Sequence, residues 1–162
     1  MLYIDIDIQN PTKFETFKKV YEVLFEIKPK EDRRSLKLWK TLIPPYAQEF
    51  IGRYYKDDLN EKPEDRWGFT DMVTYLQFGM EVEFDYLNIE ESTARIGFTA
   101  YAFPYGGMDR FLMFLKAYEC IPVESYNGFR VIEFHWQGDF AYEVTEQPDK
   151  TVAYKATWKL EE

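Results

Sequence analysis

Cysteine and histidine are nearly missing from this chain. Cys120 and His135 are the only examples of each in 162 residues. One cysteine cannot close an internal disulfide, which suits a reducing compartment. A zinc site needs about four Cys, His or carboxylate ligands in close spacing, and the soft ligands here are too few. Neither a metal nor any other cofactor is expected. Long apolar runs are missing as well, since no stretch approaches the ~20 residues of a membrane span. The segment Met1-Leu2-Tyr3-Ile4-Asp5 has neither the basic start nor the apolar run of a signal peptide. Residue 2 is not glycine and no CaaX box is present, which argues against lipidation. The expectation is a soluble, cytoplasmic protein.

Positive charge is also scarce. Twenty Lys and Arg face 29 Asp and Glu, giving a net charge of −9 and a pI near 4.8. Such a field repels phosphate backbones and anionic membranes, so neither nucleic acid nor membrane is an expected partner. A protein with a basic surface is.

Apolar residues make up 46% of the chain, too many for a disordered protein and enough for the core of one globular domain spanning residues 1–162. Aromatic residues are in excess: 14 Phe, 13 Tyr and 4 Trp. Each buries about 150–250 Å², so most belong to the core, with a remainder for a surface or groove. Aromatic side chains left over could also bury between subunits, which makes a homo-oligomer an alternative.

Residues 2–8 alternate, with Leu2, Ile4, Ile6 and Ile8 on one face and Tyr3, Asp5 and Asp7 on the other, the pattern of a half-buried strand. Asn10-Pro11 is an N-cap followed by proline at the first helical position, and Phe14, Phe17, Tyr21 and Leu24 then recur at helical spacing. Residues 31–42 predict a second, shorter helix that Pro44-Pro45 ends, and residues 46–55 a further turn or two. Residues 56–66 are polar and aperiodic, a loop. Extended segments are expected at 72–86, 93–103, 129–136, 140–146 and 151–160, the last two forming a hairpin. A helix is expected at about residues 108–119. The order β-α-α-(α)-β-β-α-β-β-β predicts an α+β fold: a mainly antiparallel sheet of about six strands with about three helices packed on one face.

Chemistry-bearing candidates are few. Metal, nucleotide, hydrolase-elbow and nucleic-acid motifs are all missing. By alternation, Glu133 and His135 share the polar face of one strand, where Glu133 could tune His135 as an acid or base. Arg95 and Tyr101 fall on the same kind of face of another strand. Glu81, Glu83 and Asp85 form an acidic row suited to a cation or a basic partner, though also to plain edge protection. Tyr105 lies in Phe103-Pro104-Tyr105-Gly106-Gly107, a strand-to-helix loop able to shape a pocket. Asp109 would cap the helix that follows and discourage an anion there. Cys120 sits among apolar and acidic neighbours, which disfavours a thiolate. Trp67 is either a loop anchor or an exposed stacking residue.

Two readings follow. The first is a non-catalytic binding protein that engages a basic partner through acids and aromatic side chains. The alternative is an enzyme or small-ligand binder with an aromatic-lined pocket using His135, Glu133, Tyr101 and Arg95.

Overall fold

A computed structural model describes residues 2–30, 32–57, 68–100 and 108–158. Its centre is a six-stranded antiparallel sheet. The strands are β1 (Leu2–Ile8), β2 (Val82–Glu90), β3 (Thr93–Ala100), β4 (Cys120–Tyr126), β5 (Val131–Trp136) and β6 (Tyr142–Glu146), in the spatial order β2-β3-β1-β4-β5-β6. The helices are α1 (Pro11–Ile27), α2 (Leu36–Leu42), α3 (Pro45–Asp57), α4 (Gly68–Thr74), α5 (Asp109–Lys116) and α6 (Pro148–Trp158), with a π-helical turn at Tyr75–Gly79. The α+β class and the antiparallel sheet agree with the sequence reading. The helix count does not: six replace about three.

Local chemistry explains the helices that were expected. Asn10 Oδ1 accepts the Lys13 N–H at 3.1 Å and Pro11 occupies the first turn of α1. Ser35 Oγ caps α2 through the Leu38 N–H at 3.2 Å. Phe14, Phe17, Tyr21 and Leu24 are buried, as their spacing requires. α1 to α5 cover one face of the sheet, called here the inner face. Ile4, Ile6, Ala94, Ile96, Phe98 and Phe134 point into it and meet Phe17, Trp39, Ile51, Leu76, Phe111 and Phe114. Much of the aromatic surplus is used here. Phe84 lies between Tyr21 and Phe111, with ring centroids 5.3 and 5.5 Å away, and Phe17 is 5.7 Å from Tyr118.

Four expectations are corrected. Residues 72–79 are helical rather than extended, because Met72, Tyr75 and Leu76 are buried at a spacing of three and four, not two. The segment 120–126 is a strand that alternation hides. The β1–β4 register shifts between Asp5 and Ile6, and a bulge on β4 carries one extra residue that breaks the period. Residues 151–158 form the body of α6 rather than half of a hairpin. Pro148 starts the helix, Asp149 stands in its first turn, and Thr151, Tyr154 and Trp158 recur on its packed side while Val152 is 70% exposed. Finally, the helices do not share one face. Tyr154 and Trp158 of α6 pack on Tyr3, Tyr126 and Val131, which project from the sheet opposite to Ile4 and Phe134. This is why Tyr3, placed on a polar face by alternation, is only 2% exposed.

Candidate functional site

The outer face of the sheet carries a polar row that crosses every strand. Its cross-strand partners are Asn88 with Arg95, Arg95 with Asp5, Asp5 with Glu124, Glu124 with Glu133, and Glu133 with Thr145. Neighbouring strands lie about 4.7–4.9 Å apart, so each side chain reaches the next. Arg95 is the centre. Its Nε and Nη2 donate to Asp5 Oδ1 and Oδ2 at 2.6 and 2.9 Å, a bidentate pair. Its guanidinium carbon also lies 3.7 Å from the centroid of the Tyr3 ring. Asp5 holds the Arg95 guanidinium well above its ordinary range. Burial pushes the Asp5 carboxyl up, against the hydrogen bond and charge of Arg95.

Glu124 is the second junction. Its Oε2 accepts from Tyr3 Oη at 2.9 Å and its Oε1 from Lys150 Nζ at 2.8 Å. Burial alone would raise this carboxyl. The hydrogen bonds from Lys150 and Tyr3, with the charges of Lys150 and Arg95, hold it below its ordinary value instead. Lys150 belongs to α6, so the ion pair also fastens that helix to the sheet. Thr151 Oγ1 adds a further fastening by accepting the Val131 N–H at 2.9 Å.

Tyr86 closes the β2 side of the row. The register shift between Phe84 and Tyr86 turns Tyr86 to the outer face, away from Val82 and Phe84, whose face alternation would have given it. A Cβ on Gly97 would lie 2.1 Å from Tyr86 Cε1, so glycine is what lets the ring lie across β3. Of the acidic row Glu81, Glu83 and Asp85, the last two both meet Thr99, Glu83 as its cross-strand partner. Glu81 lies outside the strand, and Asp85 accepts from Thr99 Oγ1 at 2.8 Å.

Beside Arg95 and Asp5 opens a groove of about 440 Å³, lined by Asn88, Glu90, Thr93 and Val123 among others. Among its described lining residues none is aromatic, and neither His135 nor Glu133 reaches it. Those two do not form a pair. His135 is exposed and its Nε2 lies 2.9 Å from Thr145 Oγ1, while Glu133 accepts from Gln147 Nε2 at 3.1 Å. Tyr101, Tyr105 and Trp67 lie outside the described residues, as do most of the loop expected at 56–66 and the Gly106-Gly107 pair. Of the described site candidates, Arg95 stands in the groove, and His135 and Glu133 do not. Asp109 accepts from the Tyr142 hydroxyl. Cys120 is buried and its thiol is pushed up to about 12, first by burial and then by Glu119. No group of three or more His, Cys, Asp or Glu that could hold a metal ion occurs among the described residues. No helix among them is long and apolar enough to cross a membrane.

Sequence reasoning missed Tyr3, Glu124, Lys150 and Tyr154. Asp5 and Arg95, opposite charges on alternating strands, carried a pairing signal. The α6 residues did not, since their face was assigned to a strand.

Arg95 is committed internally to Asp5 and Lys150 of α6 to Glu124, while Lys155 of α6 is exposed and has no ion-pair partner among the described residues. Asp7, Glu90 and Glu143 are exposed and have no ion-pair partner among the described residues. On the strands themselves, the charge left facing solvent is negative. Compared with family models, with curated proteins and with solved structures, the chain matches none of them.

Proposed function

We propose that this protein is a non-catalytic binding module whose outer sheet face receives a basic surface of another protein. One observation carries the reading. The strands of the outer face carry one cation, Arg95, which is spent on Asp5, and leave Asp7, Glu90 and Glu143 without ion-pair partners among the described residues, so an approaching cation meets carboxylates that no described cation satisfies. The net charge of −9 adds long-range attraction that would speed encounter. His135 meets Thr145 and Glu133 accepts from Gln147, so no hydrogen bond between the two supports the acid–base reading, and binding is the reading that needs none.

Calorimetric titration with a lysine-rich peptide, against a glutamate-rich peptide of equal length, tests this. Saturable binding of the first alone, weakened about tenfold by the double charge reversal Glu90→Lys/Glu143→Lys and further by added salt, is the expected result. Equal binding of both peptides, or of neither, overturns it.

A further inference from the structure

The described sheet ends in two free edges, β2 and β6, and they are not alike. Exposed edges invite pairing with another chain, and proteins blunt them with bulges, lysine or proline. β2 is bulged beside Tyr86 and lies against α1. β6 has no bulge and no described helix along its edge; its protection is charge, Glu143 and Glu146, which discourages an acidic copy of itself but not a basic segment. Its pairing with β5 runs without a register shift, and Tyr142-Glu143-Val144-Thr145-Glu146 contains no lysine and no proline. Glu143 to Glu146 are exposed, and Val144, although on the inner face, is 47% exposed because no described helix reaches over it.

The backbone of this edge can be assigned. Gln147 N–H donates to Val131 O at 2.9 Å, and Gln137 N–H donates to Ala141 O at 2.8 Å. These two contacts bracket the β5–β6 ladder. An antiparallel ladder alternates hydrogen-bonded with non-hydrogen-bonded pairs. Counting inward from both ends, Glu143 and Thr145 bond to β5, and the N–H and C=O groups of Tyr142, Val144 and Glu146 point away from it.

We infer that the β6 edge takes an extended, basic segment of another protein as an added strand. Main-chain bonds to Tyr142, Val144 and Glu146 would supply the attachment, and alternate side chains the selectivity. Charge selects this occupant. Glu143 and Glu146 lie on either side of Val144, and Asp139 and Asp149 are exposed beyond the two ends of the strand; Arg130 pairs with Glu146 and Arg53 with Asp139, which leaves Glu143 and Asp149 with no ion-pair partner among the described residues. A second copy would bring the same acids and another charge of −9 to the contact. The inference rests on the basic-partner reading above and adds to it the place and mode of attachment.

The experiment is a titration of the full chain with a short peptide of alternating lysine and valine, followed through backbone amide signals. Amide shifts and slowed hydrogen exchange concentrated at Tyr142, Val144 and Glu146, and weak at Glu143 and Thr145, are the expected result. Val144→Pro removes one outward N–H and leaves the β5 ladder intact, so this variant should fold and bind about tenfold more weakly. Shifts centred on Glu90 and Thr93, with Val144→Pro binding as the unaltered protein does, would overturn the edge while leaving the basic-partner reading in place. Absence of saturable binding would overturn both. A dimer seen by light scattering that Val144→Pro dissolves, without peptide binding, would assign the edge to a second copy and overturn the inference. Should Val144→Pro fail to fold, the amide map of the unaltered protein decides alone.

Discussion

Along β1, Ile4 and Asp5 are adjacent in sequence and meet opposite conditions. Ile4 enters a core roofed by α1 to α5, while Asp5 enters a polar row with only α6 nearby. The two faces treat their lysines differently as a result. On the inner side, Lys116 is 8% exposed, with Nζ donating to the carbonyls of Gly138 and Asp139 at 3.0 and 2.5 Å and lying 3.8 Å from the Trp136 ring centroid. Burial pushes this ammonium down to about 8, against the charge of Asp139. On the outer side Lys150 rests on a carboxylate, and the hydrogen bond and charge of Glu124 raise it. One face is stabilised by excluding water from apolar area; the other is held in register by paired charge over a small aromatic cluster.

Three measurements sharpen or break this contrast. The largest effect is expected from Phe111→Ala, whose ring is fully buried between Phe84 and Phe114. It should cost about 3–5 kcal/mol of stability in denaturant unfolding. A loss below 1 kcal/mol would mean that the inner face is not the main core.

The next effect is in pH. The folded protein disfavours charged Lys116, so the contribution of this group should rise as pH climbs from about 8 toward the ordinary lysine range of 10.5, against the loss that the raised Cys120 thiol brings above about pH 9. A rise of about 2 kcal/mol between pH 8 and 10 is expected from this residue. Burial pushes Lys28, which donates to Leu76 O at 2.8 Å, in the same direction. Lys116→Met should therefore flatten part of the rise, not all of it. An unchanged profile in that variant would place Lys116 in water.

The smallest effect belongs to the outer cluster. Trp158→Ala removes edge-on contacts with Tyr126 and Tyr154 and should cost about 1–2 kcal/mol. Amide exchange should quicken in α6 and stay slow in α1 and α5. Exchange rising everywhere would show that the two faces unfold as one unit.

These contrasts also mark what could be read in the sequence. Strict alternation with branched side chains made β1 and β3 plain, and Asn10-Pro11 marked the start of α1. Where the backbone departs from a simple period, alternation misleads. The β4 bulge hid a strand, and the β2 bulge put Tyr86 on the wrong face. In α6, Val152, Tyr154, Ala156 and Trp158 happen to alternate. The signals that should have prevailed were Pro148 and Asp149, an N-terminal pair for a helix. The candidate site was legible only at Arg95. Glu124 and Lys150 acquire meaning from strand order, which one sequence does not display.

The strand order has a consequence for synthesis. β1 is made before both of its sheet neighbours, β3 and β4, and the arginine that pairs with Asp5 follows it 90 residues later. At translation rates of about 5–20 residues per second, β1 waits roughly 5–20 s for a neighbour on either side. During that interval its Ile-rich edge is open on both sides of a growing chain. α1, which follows at once and buries Phe14, Phe17 and Leu24 in the finished core, is the first element able to shelter it. Weakening α1 should therefore reduce the yield of native protein during synthesis more than it reduces the stability of the molecule once made.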